Sequence, residues 1–331
     1  MGSAVVTADN ILFYSIVAAV VPVALYVGLI YWADWYEKEP WWLLSAAFLW
    51  GAVPAALLAL LFNSLVSLPF YFLLPERAAD LVSGGAVAPV VEEIVKALVL
   101  FLILIVRRHE LDSPLDGIIY GAMVGMGFAM VENVLYYVAN FQENGPDGWN
   151  SLVLIRGGVF GLNHALYTAL TGLGIALART SRSRWVQLGA PLLGLGAAIL
   201  LHSLHNMSMM GGTPFSFLVG LTFGWGGVWL TVAIIILALY QERRWIRRYL
   251  VDEVERGTLT PDEYHVASSA AGRSRYRLAL LLNGSVGAYR HSGQRFRLFS
   301  ELAYRKRRYA HFNDEATLRA IDELRRQIEY G

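Results

Sequence analysis

The chain has 331 residues, 56% hydrophobic and 16% charged, with a formal net charge of +1. That balance is far from the soluble average. Several apolar runs reach about 20 residues, enough to cross roughly 30 Å of hydrocarbon, so a soluble globular enzyme is excluded. With no cysteine in the chain, disulfides and thiolate chemistry are excluded as well. The near-neutral total says nothing about partners; the lipid bilayer is implied, and a nucleic acid is not expected.

In chain order, "MGSAVVTADN" lacks the basic region of a signal peptide, so residues 1–10 read as a short N-terminal tail and the run after them as a retained helix. Hydropathy predicts about seven spans, at 11–32, 41–66, 84–106, 115–139, 152–178, 186–209 and 215–240. The fold class is therefore all-α, a polytopic transmembrane helical bundle, with residues 11–240 as its membrane domain. "SLPFYFLLPERAADL", interrupted by Pro69 and Pro75, reads as a short re-entrant or interfacial helix. Lys38, Arg107 with Arg108, and Arg179 with Arg182 and Arg184 fall in alternate breaks, and the tail opens "QERRWIRR". The excess of positive charge in cytoplasmic loops then orients the chain N-out and C-in.

Residues 241–331 change composition and read as a basic, helical cytoplasmic extension. In "GTLTPDEY" Thr260 is the expected N-cap, Pro261 the first helical position and Glu263 the partner in a capping box. Leu318, Ile321, Leu324 and Ile328 fall on one helical stripe. The clusters "RRWIRR" and "YRKRRY" suit either an anionic leaflet or a solvated flank.

Ionisable groups inside apolar runs cost at least about 2.5 kcal/mol each near the bilayer centre and are functional candidates by default. Here they recur: Glu92, Glu93 and Lys96 in "VVEEIVKALV"; Glu132 and Asn133 in "GMGFAMVENV"; Asn163 and His164 in "GLNHALYT"; His202, His205 and Asn206 in "LLHSLHNM". With the inferred orientation, most of them share a layer about 6–12 Å below the outer boundary, His164 deeper, at about 1.5 Å per residue. Lys96 follows Glu92 by four residues and Glu93 by three, so it can pair with either. An ionised glutamate can act as a general base on water. His202 and Asn206 share a helix face, where imidazole and amide could ligate a metal or donate to an oxyanion. Gly121, Gly125, Gly127, Gly157, Gly158 and Gly161 would let the helices approach closely.

Weighed as structure alone, Glu92, Glu93 and Lys96 would be an ion pair that locks packing. Glu132 with Asn133 would be an interhelical hydrogen bond, and His164 a satisfied core histidine. His205, three residues from His202, is expected in a structural or supporting role.

The set "EEIVK", "FAMVE", "NHALYT" and "HSLHN", each on its own span, resembles the PrsW family of intramembrane proteases, which sits in one superfamily with the CAAX prenyl endopeptidases. The resemblance covers about residues 84–210. It implies catalytic roles for Glu92 and Glu93, active-site roles for Glu132, His164 and His202, and an accessory role for Asn206, with Lys96, Asn133 and His205 supporting. It also implies a membrane protein or peptide as substrate and first-step cleavage of an anti-sigma factor on the extracytoplasmic side. A divalent metal such as zinc is expected, with His164, His202 and Glu132 as candidate ligands, although HExxH is absent; metal-free, glutamate-driven hydrolysis fits the same residues. The CAAX branch has histidine where Glu132 stands and arginine near Lys96, which sets this chain apart from CAAX processing. Two other classes compete: an ion- or proton-coupled transporter, which calls for broken helices and repeats that the sequence does not display, and a noncatalytic scaffold. The sequence does not fix the oligomeric state.

Overall fold

The computed structural model describes residues 6–36 and 38–330; the first five residues of the expected N-terminal tail lie outside them. All regular structure among the described residues is helical. The chain divides into two compact units, 1–33 with 39–235, and 34–38 with 236–331.

In the first unit, α1 (Ile11–Ala33) precedes one long run made of α2 (Trp41–Trp50), a π-helical turn (Gly51–Ala55) and α3 (Ala56–Leu73). Pro54 lies in that turn; having no N–H, it favours a local widening of the helix there. After α4 (Glu76–Val82) and a second π turn (Ser83–Val87) come α5 (Ala88–Val106), α6 (Pro114–Leu152), α7 (Asn163–Thr180), α8 (Arg184–Met210) and the first part of α9 (Pro214–Glu255). The expected span 41–66 thus runs on through Pro69 to Leu73, and α4 is a separate short helix.

Among the described residues, five stretches are long and apolar enough to cross a membrane: Ile11–Ala33, Trp41–Leu73, Pro114–Thr180, Arg184–Met210 and Pro214–Glu255. The third is 67 residues long, about 100 Å if it were one straight rod, and it is not one. Gly145 adopts φ 66° just before Pro146, and residues 160–162 separate a π-helical stretch (Val153–Val159) from α7. The expected continuous span 152–178 is therefore broken, and His164 stands in the first turn of α7 rather than about twelve residues into a helix. The helix α5 has 19 residues, also about the needed length, but carries Glu92, Glu93 and Lys96.

The centre of this unit is α6. Ser113 caps it, accepting from the Leu115 and Asp116 amides, while the Asp116 carboxylate accepts in turn from the Ser113 amide and Pro114 supplies the first position. From Leu115 to Ala129 nearly every residue is buried, as expected of a helix apolar on all sides. Its glycines set two close approaches. A Cβ on Gly117, Gly121 or Gly125 would lie 2.2, 2.3 or 2.1 Å from the carbonyl oxygens of Gly172, Thr168 and His164. As one number rises the other falls, so α7 runs antiparallel along α6 with backbones nearly touching. On the other side a Cβ on Gly127 would meet the Phe48 carbonyl oxygen at 2.0 Å, seating α2. Gly158 makes no such approach, its nearest neighbour being Leu154 of its own turn.

In the second unit, the end of α9 packs with α10 (Pro261–Ala267), α11 (Ala270–Leu282), α12 (Val286–Phe312) and α13 (Glu315–Tyr330). Its core includes Ile246, Leu250, Leu259, Phe299, Leu302, Ile321, Leu324 and Ile328, together with Tyr36 from the segment between α1 and α2. Buried Arg273 donates to the carbonyl oxygens of Ala267 and Tyr36 and to Ser300 Oγ. The segment 34–38 is thus part of this unit, which residues 241–331 alone would not have suggested. The capping box opens α10, with Thr260 Oγ1 accepting from the Glu263 amide at 3.2 Å and Glu263 Oε2 from the Thr260 amide at 2.9 Å. On α13 the buried stripe is Thr317, Ile321, Leu324 and Ile328; Leu318 sits at its margin, 38% exposed. The "YRKRRY" cluster is engaged within the unit: Lys306 on Asp252 and Glu253, Arg307 over the Trp245 ring and Arg308 near Asp314.

Candidate active site

Four helices of the first unit deliver polar side chains to one buried centre. On α5, Glu93 and Lys96 are fully buried and Glu92 is 5% exposed. Three residues apart on a helix, Glu93 and Lys96 meet at 2.8 Å. Glu93 is saturated. Its Oε1 accepts from Lys96 Nζ and, at 3.0 Å, from His202 Nδ1, while its Oε2 accepts from Thr168 Oγ1 at 3.1 Å.

Glu92 is not saturated. Its Oε1 accepts from Asn63 Nδ2 of α3 at 3.3 Å. Its Oε2 is buried with no hydrogen-bond partner, and stands 3.7 Å from Lys96 Nζ and 3.8 Å from His202 Nε2. An unmet buried acceptor of this kind costs about 1–3 kcal/mol, more when charged, so it calls for a physical reason.

The histidines are oriented by what they touch. Glu93 can only accept from His202 Nδ1, so in the neutral ring the Nε2 lone pair of His202 is on the side of Glu92, 3.8 Å from its Oε2. Tyr167 stacks on the His202 ring at 4.8 Å. Lys96 can only donate, so His164 Nδ1 accepts from it at 3.1 Å. His164 Nε2 then donates to Glu132 Oε2 at 2.8 Å. The rings of His164 and His202 are perpendicular with centroids 5.0 Å apart. Lys96 Nζ also lies 3.9 Å from the Phe128 ring centroid, a cation–π contact that helps hold an ammonium away from water.

Glu132 belongs to an outer layer. Arg156, from the π-helical stretch before α7, reaches its Oε2 at 2.6 Å, donates to Asn133 Oδ1 at 2.9 Å and lies 4.0 Å from the Tyr136 ring centroid. His205 and Asn206 do not join the carboxylates. His205 contacts Asn163 Nδ2 at 3.3 Å and packs on Phe160, and Asn206 donates to the Gly84 carbonyl oxygen at 2.9 Å, tying α8 to the π turn before α5.

Asn63, Thr168 and Arg156 carry no functional assignment in the sequence reading. Asn63 had a signal, a lone amide in the apolar run "ALLFNSLV". Thr168 had none, because a helix hydroxyl can bond its own backbone. Arg156 reads from sequence as a boundary residue.

A cavity of about 310 Å³ between α3, α5 and α6 is lined by Asn63, Glu92 and Glu132 among apolar residues. A smaller one of about 40 Å³ is lined by Glu132, Asn133, Arg156, His164, His205 and Asn206. Glu92, His164 and His202 each offer one ligand-type atom, and these atoms lie within 4.8 Å of one another. The family resemblance offered Glu132 as the candidate carboxylate ligand beside His164 and His202. In the structure Glu132 is engaged by Arg156 and His164, and it is Glu92 that groups with them.

A helical membrane bundle with paired buried carboxylates, a buried lysine and two imidazoles at its centre has the groups an intramembrane hydrolase needs. Residues 39–238 match the model of the PrsW family intramembrane metalloprotease, and the chain belongs to that family. It is an intramembrane endopeptidase and an integral membrane protein. Protease PrsW of Geobacillus kaustophilus is 28% identical over 217 residues, covering 63% of this chain and 86% of the relative. Protease PrsW of Clostridioides difficile is 36% identical over 119 residues, 36% of this chain and 48% of the relative. That of Bacillus subtilis is 27% identical over 187 residues, 54% and 76% respectively. No solved structure matches the chain.

Proposed function

We propose that Glu92 is the general base of peptide hydrolysis and that Glu93 positions the groups around it. The observation that carries this is the contrast between the two neighbours. Both oxygens of Glu93 accept hydrogen bonds, whereas Glu92 Oε2 has no hydrogen-bond partner and Glu92 lines the larger cavity. Glu92 takes a proton from water as the water oxygen attacks the carbonyl carbon. It passes that proton to the amide nitrogen as the C–N bond breaks.

The residues also fit a divalent metal. An orphaned carboxylate oxygen faces the lone pair of a histidine whose other nitrogen is held by a carboxylate, an arrangement typical of metal-ligating histidines. In that scheme Glu92, His164 and His202 would hold the ion, Glu92 serving as a ligand in place of its role as base, and their nitrogen and oxygen donors suit zinc. Bound there, it would acidify water and polarise a carbonyl. A ligating His164 gives up either its Lys96 or its Glu132 contact, since both its nitrogens are engaged. Lys96 offsets the charge of the paired carboxylates, and Arg156 holds Glu132 against His164.

An anti-sigma factor or another membrane-anchored protein, cut on the extracytoplasmic side, is the proposed substrate, and the chain is proposed to lie N-out and C-in. The residues 241–331 are proposed as an accessory unit beyond the catalytic domain. The alternating basic loops support the orientation. Because there is no native cysteine, a single cysteine at Ser181 tests it cleanly: an impermeant thiol reagent should fail to label it from outside intact cells, and labelling there reverses the topology. Capture by the Glu92→Gln variant of a membrane protein that wild type cleaves tests the substrate class. If the only cleaved substrates lack a membrane anchor, this substrate assignment fails.

A further inference from the structure

The larger cavity has a built character that peptide-bond chemistry at Glu92 does not by itself explain. One wall is Ala56, Ala59, Leu60 and Asn63 of α3, spaced i, i+3, i+4 and i+7, so they form one helix face. The facing wall on α6 includes Glu132 and Leu135. Ala56 and Ala59 are buried, whereas Leu60 and Leu135 are 51% and 46% exposed. The cavity thus has a small-residue interior, an apolar rim on the outer surface of the helices, and a polar end. At that end a second buried acceptor stands beside the first: Asn63 Oδ1 also has no hydrogen-bond partner, while its Nδ2 donates to Glu92. Neighbouring unmet acceptors call for an N–H or O–H donor to fill them.

We propose that this cleft binds an apolar side chain of the substrate next to the scissile bond, and that Asn63 Oδ1 accepts a backbone N–H from the same segment. The proposal rests on the protease reading and specifies its substrate chemistry. Within an intact transmembrane helix the backbone N–H groups are satisfied internally. The group Asn63 accepts from therefore comes from a locally unwound, extended stretch of chain. The volume, about 310 Å³, is near the small end of the roughly 300–1,000 Å³ typical of ligand pockets, which suits one aliphatic or aromatic side chain rather than a whole helix. Entry past Leu60 and Leu135 brings that side chain in directly from hydrocarbon. Through its Nδ2 the same amide holds Glu92, so engagement of the substrate and orientation of the base share one residue.

The experiment uses the full chain in liposomes with a library of single-pass peptides differing at one residue beside the cleavage site, cuts being mapped by mass spectrometry. Leu60→Trp and Leu135→Trp should shift preference toward Ala and Gly, and Leu60→Ala and Leu135→Ala toward bulkier residues, each by about tenfold or more in the ratio of kcat/KM values. These rim positions are half exposed, so the variants are expected to fold; an unchanged profile across all four overturns the cleft. For Asn63 the probe is backbone N-methylation of the peptide at the seated residue. Methylation should cost wild type about tenfold, the scale of a lost hydrogen bond, and cost Asn63→Ala little more than its existing deficit. Equal penalties in both overturn the role of Asn63 Oδ1. Glu92→Gln is run alongside. If it cleaves like wild type the base assignment fails, while the side-chain profile still reports separately on the cleft.

Discussion

Two carboxylates, one in each unit, are buried beside a lysine and end up chemically different. Glu253 is fully buried in the second unit. Its Oε1 accepts from Lys306 Nζ at 2.5 Å and Arg325 Nη2 at 2.7 Å, and its Oε2 from Arg325 Nε at 3.0 Å. Glu92 is almost as buried, yet one of its oxygens has no hydrogen-bond partner, with Lys96 Nζ at 3.7 Å. Charge removed from water is tolerated when paired and hydrogen-bonded, and Glu253 meets that condition with both oxygens. The network at Glu253 holds helices together. The one at Glu92 stops short, at a cavity, and the unfilled position is where a substrate, a water or a cation can be received. Burial and a lysine neighbour do not separate the two carboxylates; the open acceptor does, and on it rests the proposed role of Glu92 as base.

The largest expected effect breaks this contrast directly. Glu92→Gln should lower turnover per folded molecule by about a hundredfold or more with accumulation near wild type, because glutamine keeps the shape and can still accept from Asn63. Glu253→Gln should do the reverse. It removes the buried partner of Arg325, at a cost toward the lower end of the ~3–5 kcal/mol for breaking a buried pair, because Arg325 keeps Asp322 and Lys306 keeps Asp252. Turnover per folded molecule should not change. The check is cleavage rate normalised to folded protein, with accumulation measured separately. Wild-type turnover in Glu92→Gln would sink the base assignment.

Glu93→Gln tests the neighbour on both scales. It weakens the hold on Lys96, His202 and Thr168 together, so accumulation should fall. The second effect is on metal affinity, which should drop by about 10–100-fold, as for loss of a carboxylate behind a ligating histidine. Chelation should abolish wild-type cleavage, and added zinc should restore it at lower concentration for wild type than for Glu93→Gln. Full activity in exhaustively chelated protein would favour the metal-free scheme. Metal content by elemental analysis of purified protein, in wild type and His202→Ala, supplies a readout independent of activity.

How much of this was legible beforehand depended on range. The Glu93–Lys96 pair follows from i,i+3 spacing on one helix, and the Thr260 capping box from four consecutive residues, so local rules sufficed. The close approach of α6 to α7 had a partial signal: Gly121 and Gly125 stood out, but Gly117 and Gly172 matter only once the antiparallel register is known. Asn63 lies 29 residues from Glu92 in the chain, and nothing in its own segment says which helix it faces. The same holds for Arg156 on Glu132. Tyr36 reads as a loop aromatic, and its burial in the core of the second unit depends on Arg273, far along the chain. The break at residues 160–162 was hidden because hydropathy stays high through "VFGLNHAL" while the backbone leaves the helix.

A smaller effect sharpens the other side of the comparison. Truncation after Arg256 removes α10 to α13, and with them the packing partners of Tyr36, Ile246 and Leu250 in the core of the second unit. Accumulation should fall, while turnover per inserted, folded molecule should persist, because Glu92, Glu93, Glu132, His164 and His202 all lie in the first unit. Quantitative blotting of membranes alongside normalised cleavage would check this. Complete loss of cleavage in a truncation shown to be inserted and folded would make the second unit part of the catalytic apparatus.

The smallest expected effect concerns a carboxylate that is only partly covered. Partial burial of Glu263 alone would raise its affinity for a proton. Hydrogen bonds from the Thr260 amide and from Arg295 and the Thr260 hydroxyl outweigh that and hold its carboxyl below its ordinary value. A carboxyl depressed in the folded state stabilises above its unfolded value, about 4.3, and loses that contribution as pH falls through the lower folded value. The loss should therefore appear below about pH 4.3, at the start of α10 and at its Arg295 tie to α12. Amide exchange at residues 260–267, measured in detergent from pH 6 downward and referenced to Glu263→Gln at each pH, reads it directly. Wild type should start more protected and converge on the variant as the carboxyl is protonated. Thr260→Ala should lose protection at every pH, by about 0.5–2 kcal/mol for a lost N-cap. Peptide cleavage should be unmoved in both variants, because Glu263 closes a network that holds structure. A wild type that never converges on Glu263→Gln at low pH would show that the protection comes from packing and not from the charge.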